Sequence, residues 1–70
     1  MVELGSLAKH DAVNLFPGAE IRIITCIKPY AVRTVNNRGH VAWWETGTKV
    51  MLLASGVKFH PVHGDIVPIR

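Results

Sequence analysis

Several of the usual signposts are missing from this sequence. It has one cysteine, Cys26, so no intrachain disulfide and no multi-cysteine zinc pattern is available. That usage suits a reducing compartment such as the cytoplasm. The opening MVELGSLAKHD has neither a basic n-region nor an apolar h-region, which predicts no secretory leader. The longest uninterrupted apolar run, Val50 to Ala54, is far too short to cross a bilayer, and no membrane is expected as a partner. Lysines and arginines never stand side by side, and the glycines form neither a GxGxxG fingerprint nor a P-loop.

Charge is scarce too: Asp, Glu, Lys and Arg make up only 19% of the chain, against 49% hydrophobic residues. A chain of 70 residues buries only about 60% of the surface it exposes when unfolded. Part of that apolar share must therefore stay outside unless something covers it, which points to a homo-oligomer or a stable partner. The net charge of +3 is unevenly spread. In residues 1–20, Lys9 faces Glu3, Asp11 and Glu20, a net −2, which leaves +5 for residues 21–70. A basic body of this kind favours an anionic partner through long-range attraction.

The N-terminal segment reads as one short helix, about residues 7–15. Ser6 is a suitable N-cap. Leu4, Leu7, Ala8, Ala12 and Leu15 make an apolar stripe, and Phe16-Pro17-Gly18 ends it. From Ala19 the texture becomes β-like. AEIRIITCI alternates, with Ile21, Ile23, Thr25 and Ile27 on one face, and Pro29 marks a strand end or edge. YAVRTV, the turn NNRG and HVAWWE form a hairpin. TGT, KVMLLA, SGV, VKFHPV, HGD and IVPIR complete an even rhythm of strands and turns. The expected fold is mainly β with one short N-terminal helix: a five- to six-stranded antiparallel barrel over about residues 19–70, its open end capped by the helix. Residues 1–70 make a single domain.

Trp43 and Trp44 are the residues that point outward from this frame. Successive side chains of a strand face opposite sides, so one sheet face cannot take both rings. Either both are structural, one in the core and one under the helix, or one lies on a binding surface. The sequence favours Trp44 for the surface, with His40 beside it. A ring on a β-face can stack on a nucleobase while cations hold phosphates. Arg33, Arg38 and Lys49 are the candidate phosphate contacts, and Asn36, Asn37 and His40 supply polar groups at the hairpin tip.

Chemistry has thinner support. His60 and His63 differ in strand parity, Pro61 argues against a helix that would align them, and only Asp65 and His40 remain as recruits, so no metal site is expected. Cys26 has no local signature of a nucleophile, and His10–Asp11 reads as a solvated pair. No catalytic residue and no cofactor is expected, which makes the chain a non-enzyme.

A helix followed by about five short strands resembles, in element order, the Sm-like and Hfq proteins, which are ring-forming RNA binders. The closing KFHPVHGDIVPIR is loosely similar to an Hfq-type ending with a histidine and a valine-proline. SH3-like and OB barrels share the same order. The resemblance implies a small barrel and not a function. The resulting expectation is a cytoplasmic, oligomeric module binding nucleic acid through the Trp/Arg hairpin. Its alternative is a protein-interaction, inhibitory or accessory module (a virus-encoded one included) docking through an apolar patch, or a structural assembly subunit.

Overall fold

The structure is a computed structural model that describes residues 1–62 and 64–69. Its strands are β1 (Val2–Glu3), β2 (Ala12–Asn14), β3 (Arg22–Ile27), β4 (Ala31–Val35), β5 (Val41–Glu45), β6 (Lys49–Leu52), β7 (Phe59–Val62) and β8 (Asp65–Pro68). Six of them form one antiparallel sheet in the order β1-β6-β2-β3-β4-β5, and β7 and β8 form a separate hairpin. The β-branched residues of RIITCI and AVRTV suit a pleated, half-buried surface, and these two strands pair directly with each other inside the sheet.

The six-stranded sheet does not close into a barrel, but it curls. Only residues 46–48 join β5 to β6, yet β2, β3 and β4 lie between them in the sheet. The chain can make that step only if the two ends of the sheet approach each other. Leu4 N–H donates to Thr48 O and Gly5 N–H to Thr46 O, both at 2.8 Å, and these bonds hold the N-terminal segment against the β5–β6 turn. The approach is so close that a Cβ on Gly5 would stand 2.8 Å from the Thr46 Cβ, and a side chain there would force the two segments apart.

The expected helix over residues 7–15 is not what forms. Leu4–Ser6 is a single 3-10 turn and Ala12–Asn14 is a strand, with no α-helix among the described residues. Local hydrogen bonding explains the change. Ser6 Oγ donates backwards to Glu3 O at 2.7 Å instead of accepting from a first helical turn. The Asp11 carboxylate accepts the Ala8 N–H at 2.9 Å, a side-chain turn that competes with helix. His10 then takes a left-handed φ of 77°, and its N–H donates to Ile24 O. Sheet pairing therefore takes the backbone groups a helix would need.

The curl encloses a core of Leu4, Val13, Ile24, Val32 and Val50, with Leu7, Leu15, Leu52 and Trp44 packed against it. The opposite face also has a buried strip. Ala12, Ile23 and Val35 are directly paired across β2, β3 and β4, and β7 packs against β3. The Phe59 N–H donates to His10 O, and Lys58 Nζ reaches the buried Asp11 Oδ1 at 2.7 Å; together they tie the hairpin to the sheet. A bulge between Ile24 and Cys26 shifts the parity of β3, so that Cys26 faces Arg33 and Ile27 faces Val32.

Candidate functional site

The hairpin β4–β5 is built around Asn36. Its backbone N–H donates to His40 O at 3.2 Å, and its Oδ1 accepts the N–H groups of Arg38 (2.9 Å) and His40 (3.0 Å). Gly39 takes φ +81° in the same turn, a conformation a residue with a Cβ adopts at a cost. Asn36 is buried while Arg38 and His40 stand exposed at the tip. Asn37 Nδ2 donates to Gly64 O at 2.8 Å, so this residue bridges to the β7–β8 hairpin.

The register Ala31↔Glu45 through Val35↔Val41 sets the two tryptophans on opposite faces. Trp44 shares the inner face with Thr34. Its Nε1 donates to Thr34 Oγ1 at 2.9 Å, and the Arg22 guanidinium lies 6.0 Å from its ring centroid. Arg22 is itself 6% exposed. Its Nε donates to Thr34 Oγ1 (2.7 Å), Nη2 to His40 O (2.9 Å) and Nη1 to Glu20 Oε1 (2.6 Å), and Asn36 Nδ2 adds a donor to Glu20. No buried side-chain polar atom is left without a partner among the described residues.

Trp43 is on the outer face and 51% exposed, beside Val41 at 56%. Arg33 lies directly across from it, with its guanidinium 6.0 Å from the Trp43 centroid. Arg33 Nε donates to Thr25 Oγ1 at 2.8 Å, and its two terminal nitrogens have no protein partner among the described residues.

This placement corrects the sequence expectation in two respects. The ring available at the surface is Trp43, whereas Trp44 is half-buried and bonded into the core. Arg33, Arg38 and His40 do lie on or beside the same hairpin. Lys49 does not join them: it opens β6, past the far end of β5, and pairs with Glu3 at 3.5 Å. Sequence reasoning passed over Arg22 and Thr34. The available signal was an arginine between Ile21 and Ile23, which must be satisfied if that strand is central.

A groove of ≈ 440 Å³ lies between the β7–β8 hairpin and the sheet, lined by Ala19, Glu20, Ile21, Asn37, Leu53, Phe59, Asp65 and Ile66. Cys26 is free and half-buried. Among the described residues no three His, Cys, Asp or Glu side chains converge as a metal site would require; His63 of the His60/His63 pair lies outside the described residues. No helix in the described residues is long and apolar enough to cross a membrane. Comparison with protein-family models, with curated proteins and with solved structures finds no match for this chain.

Proposed function

We propose that this chain is a non-enzymatic, cytoplasmic binding module that holds single-stranded nucleic acid on the outer face of the β4–β5 hairpin. Trp43 supplies the stacking ring, Arg33 and Arg38 contact phosphate, and His40 and Asn37 add polar contacts at the tip. The curled sheet serves as an incompletely closed small barrel that presents this face. The observation that carries the reading is the half-exposed Trp43 beside Arg33, whose terminal nitrogens have no protein partner among the described residues. A base can stack on the solvent side of the ring while those nitrogens hold the adjoining phosphate.

The test is binding of labelled mixed-sequence single strands, RNA and DNA in parallel, across a salt series. Log affinity should fall linearly with log salt, with a slope of roughly −0.7 per phosphate neutralised. Trp43→Ala should remove about 1–3 kcal/mol of affinity, as loss of one stacking platform does. Failure to bind at low salt ends this reading. A second reading then stands on the adjacency of Val41 and Trp43, both more than half exposed: an apolar patch that docks a larger protein, with little dependence on salt.

A further inference from the structure

The backbone of β5 has a free edge as well as a free face. In an antiparallel ladder, directly opposed residues alternate between pairs that exchange hydrogen bonds and pairs that do not. Asn36 N–H bonds His40 O in the same register as β4 and β5, which sets the phase. The pairs Thr34↔Ala42 and Val32↔Trp44 therefore carry the ladder bonds. Val41 and Trp43 turn their N–H and C=O groups the other way, toward the edge where, among the described residues, no strand lies, while the Glu45 C=O accepts the Thr48 N–H at 3.0 Å in the turn that follows.

The remaining strand edges are blunted in ways that proteins commonly use to prevent edge-to-edge pairing. β1 is two residues long and ends in the charged pair Glu3–Lys49. The β7–β8 hairpin carries Pro61 and Pro68, one in each strand. In β5, Val41 to Trp44 contain neither a proline nor a charge, and the bulge of the sheet lies two strands away in β3.

We infer that β5 is the interface of a symmetric dimer, in which two copies pair antiparallel through their β5 edges about a two-fold axis at Ala42, so that Val41 of each copy exchanges backbone bonds with Trp43 of the other. The occupant is a second copy because the strand is complementary to itself. Its leading end carries Arg38 and His40 and its trailing end carries Glu45, so antiparallel pairing sets the cationic end of one copy against the carboxylate of the other. A dimer of this kind joins two sheets into one and brings both Trp43 side chains to the centre of a continuous outer face.

Two measurements test it. Light scattering should give twice the 7.7 kDa chain mass, falling to the monomer on dilution. Amide exchange should show Val41 and Trp43 N–H protected only at dimer-forming concentration, with Ala42 and Trp44 N–H protected throughout. Val41→Pro removes an edge donor without removing a β4–β5 bond, so it should give a monomer with an unchanged circular dichroism spectrum, whereas Val41→Ala should remain a dimer. If Val41→Pro fails to fold, charge reversal decides: Glu45→Arg and Arg38→Glu should each weaken the dimer, and the two together should restore it. A monomer at every soluble concentration overturns the inference. So does a dimer in which the Val41 and Trp43 amides exchange freely, or a larger head-to-tail assembly joining β5 to β1.

Discussion

The molecule contains the same pair of side chains twice, once on each face of one hairpin. Arg22 and Trp44 meet at 6.0 Å on the inner face, and Arg33 and Trp43 meet at 6.0 Å on the outer face. The chemistry and the spacing are the same, but the surroundings differ. Arg22 is buried and hydrogen-bonded to Thr34, His40 and Glu20, while Arg33 has a single side-chain partner and a solvent-facing ring. An arginine–tryptophan contact is therefore neither structural nor functional by itself. Where water is excluded, the pair must be fully satisfied and becomes part of the core. Where water remains, the same pair is inexpensive to keep and is available to a ligand.

The sharpest way to break the comparison is to remove each ring in turn. Trp44→Ala should cost about 3–5 kcal/mol, the range for deleting a large core aromatic. It also strips Arg22 of a neighbour and Thr34 of a donor. Against a total stability of about 5–15 kcal/mol for domains in general, that loss leaves a chain of this size marginal. Urea unfolding of the variant checks it, and a loss under about 1 kcal/mol would place Trp44 outside the core.

The next effect in size comes from the hydroxyl that the inner pair shares. Thr34 Oγ1 accepts from both Arg22 Nε and Trp44 Nε1. Thr34→Val keeps the shape and the β-branching but leaves both the indole N–H and the Arg22 Nε–H without this acceptor. An unsatisfied buried donor costs about 1–3 kcal/mol, so the urea midpoint should drop with an unchanged slope. Adding Trp44→Phe to Thr34→Val should recover only the indole's share of the penalty, because Phe has no N–H to satisfy while the Arg22 Nε–H still lacks its acceptor.

Legibility followed how local each decision was. The NNRG turn, the proline and glycine punctuation and the alternation in RIITCI and AVRTV depend on neighbours in sequence, and the strands formed there. The expected helix does not form, because its stripe of leucines and alanines carries no sign of two contacts that oppose it: the Asp11 carboxylate binds back to the Ala8 N–H, and the His10 N–H bonds Ile24 O on a distant strand. The tryptophan pair shows the same division. That the rings face opposite sides follows from strand geometry alone. Which one is inside depends on Thr34 and Arg22, brought to Trp44 from two other strands. The resulting site keeps Arg33, Arg38 and His40, exchanges Trp44 for Trp43, and leaves Lys49 outside.

The outer pair carries the smallest expected effect on stability, and that smallness is informative. Trp43→Ala removes an exposed cation–π contact of about 0.5–1 kcal/mol and a cross-strand pair of similar size. The loss in urea should therefore stay near 1 kcal/mol, well below that of Trp44→Ala. A double-mutant cycle with Arg33→Ala isolates the contact itself, since each single variant leaves the other side chain in water, where it can be solvated. Coupling near the top of the cation–π range would mean that Arg33 is held on the ring and must be displaced before it can grip phosphate. Coupling near zero would mean that the ring and the guanidinium are each free to meet a ligand. The contrast with the inner pair then becomes quantitative: one residue type at one distance, ranked by how much water each site retains.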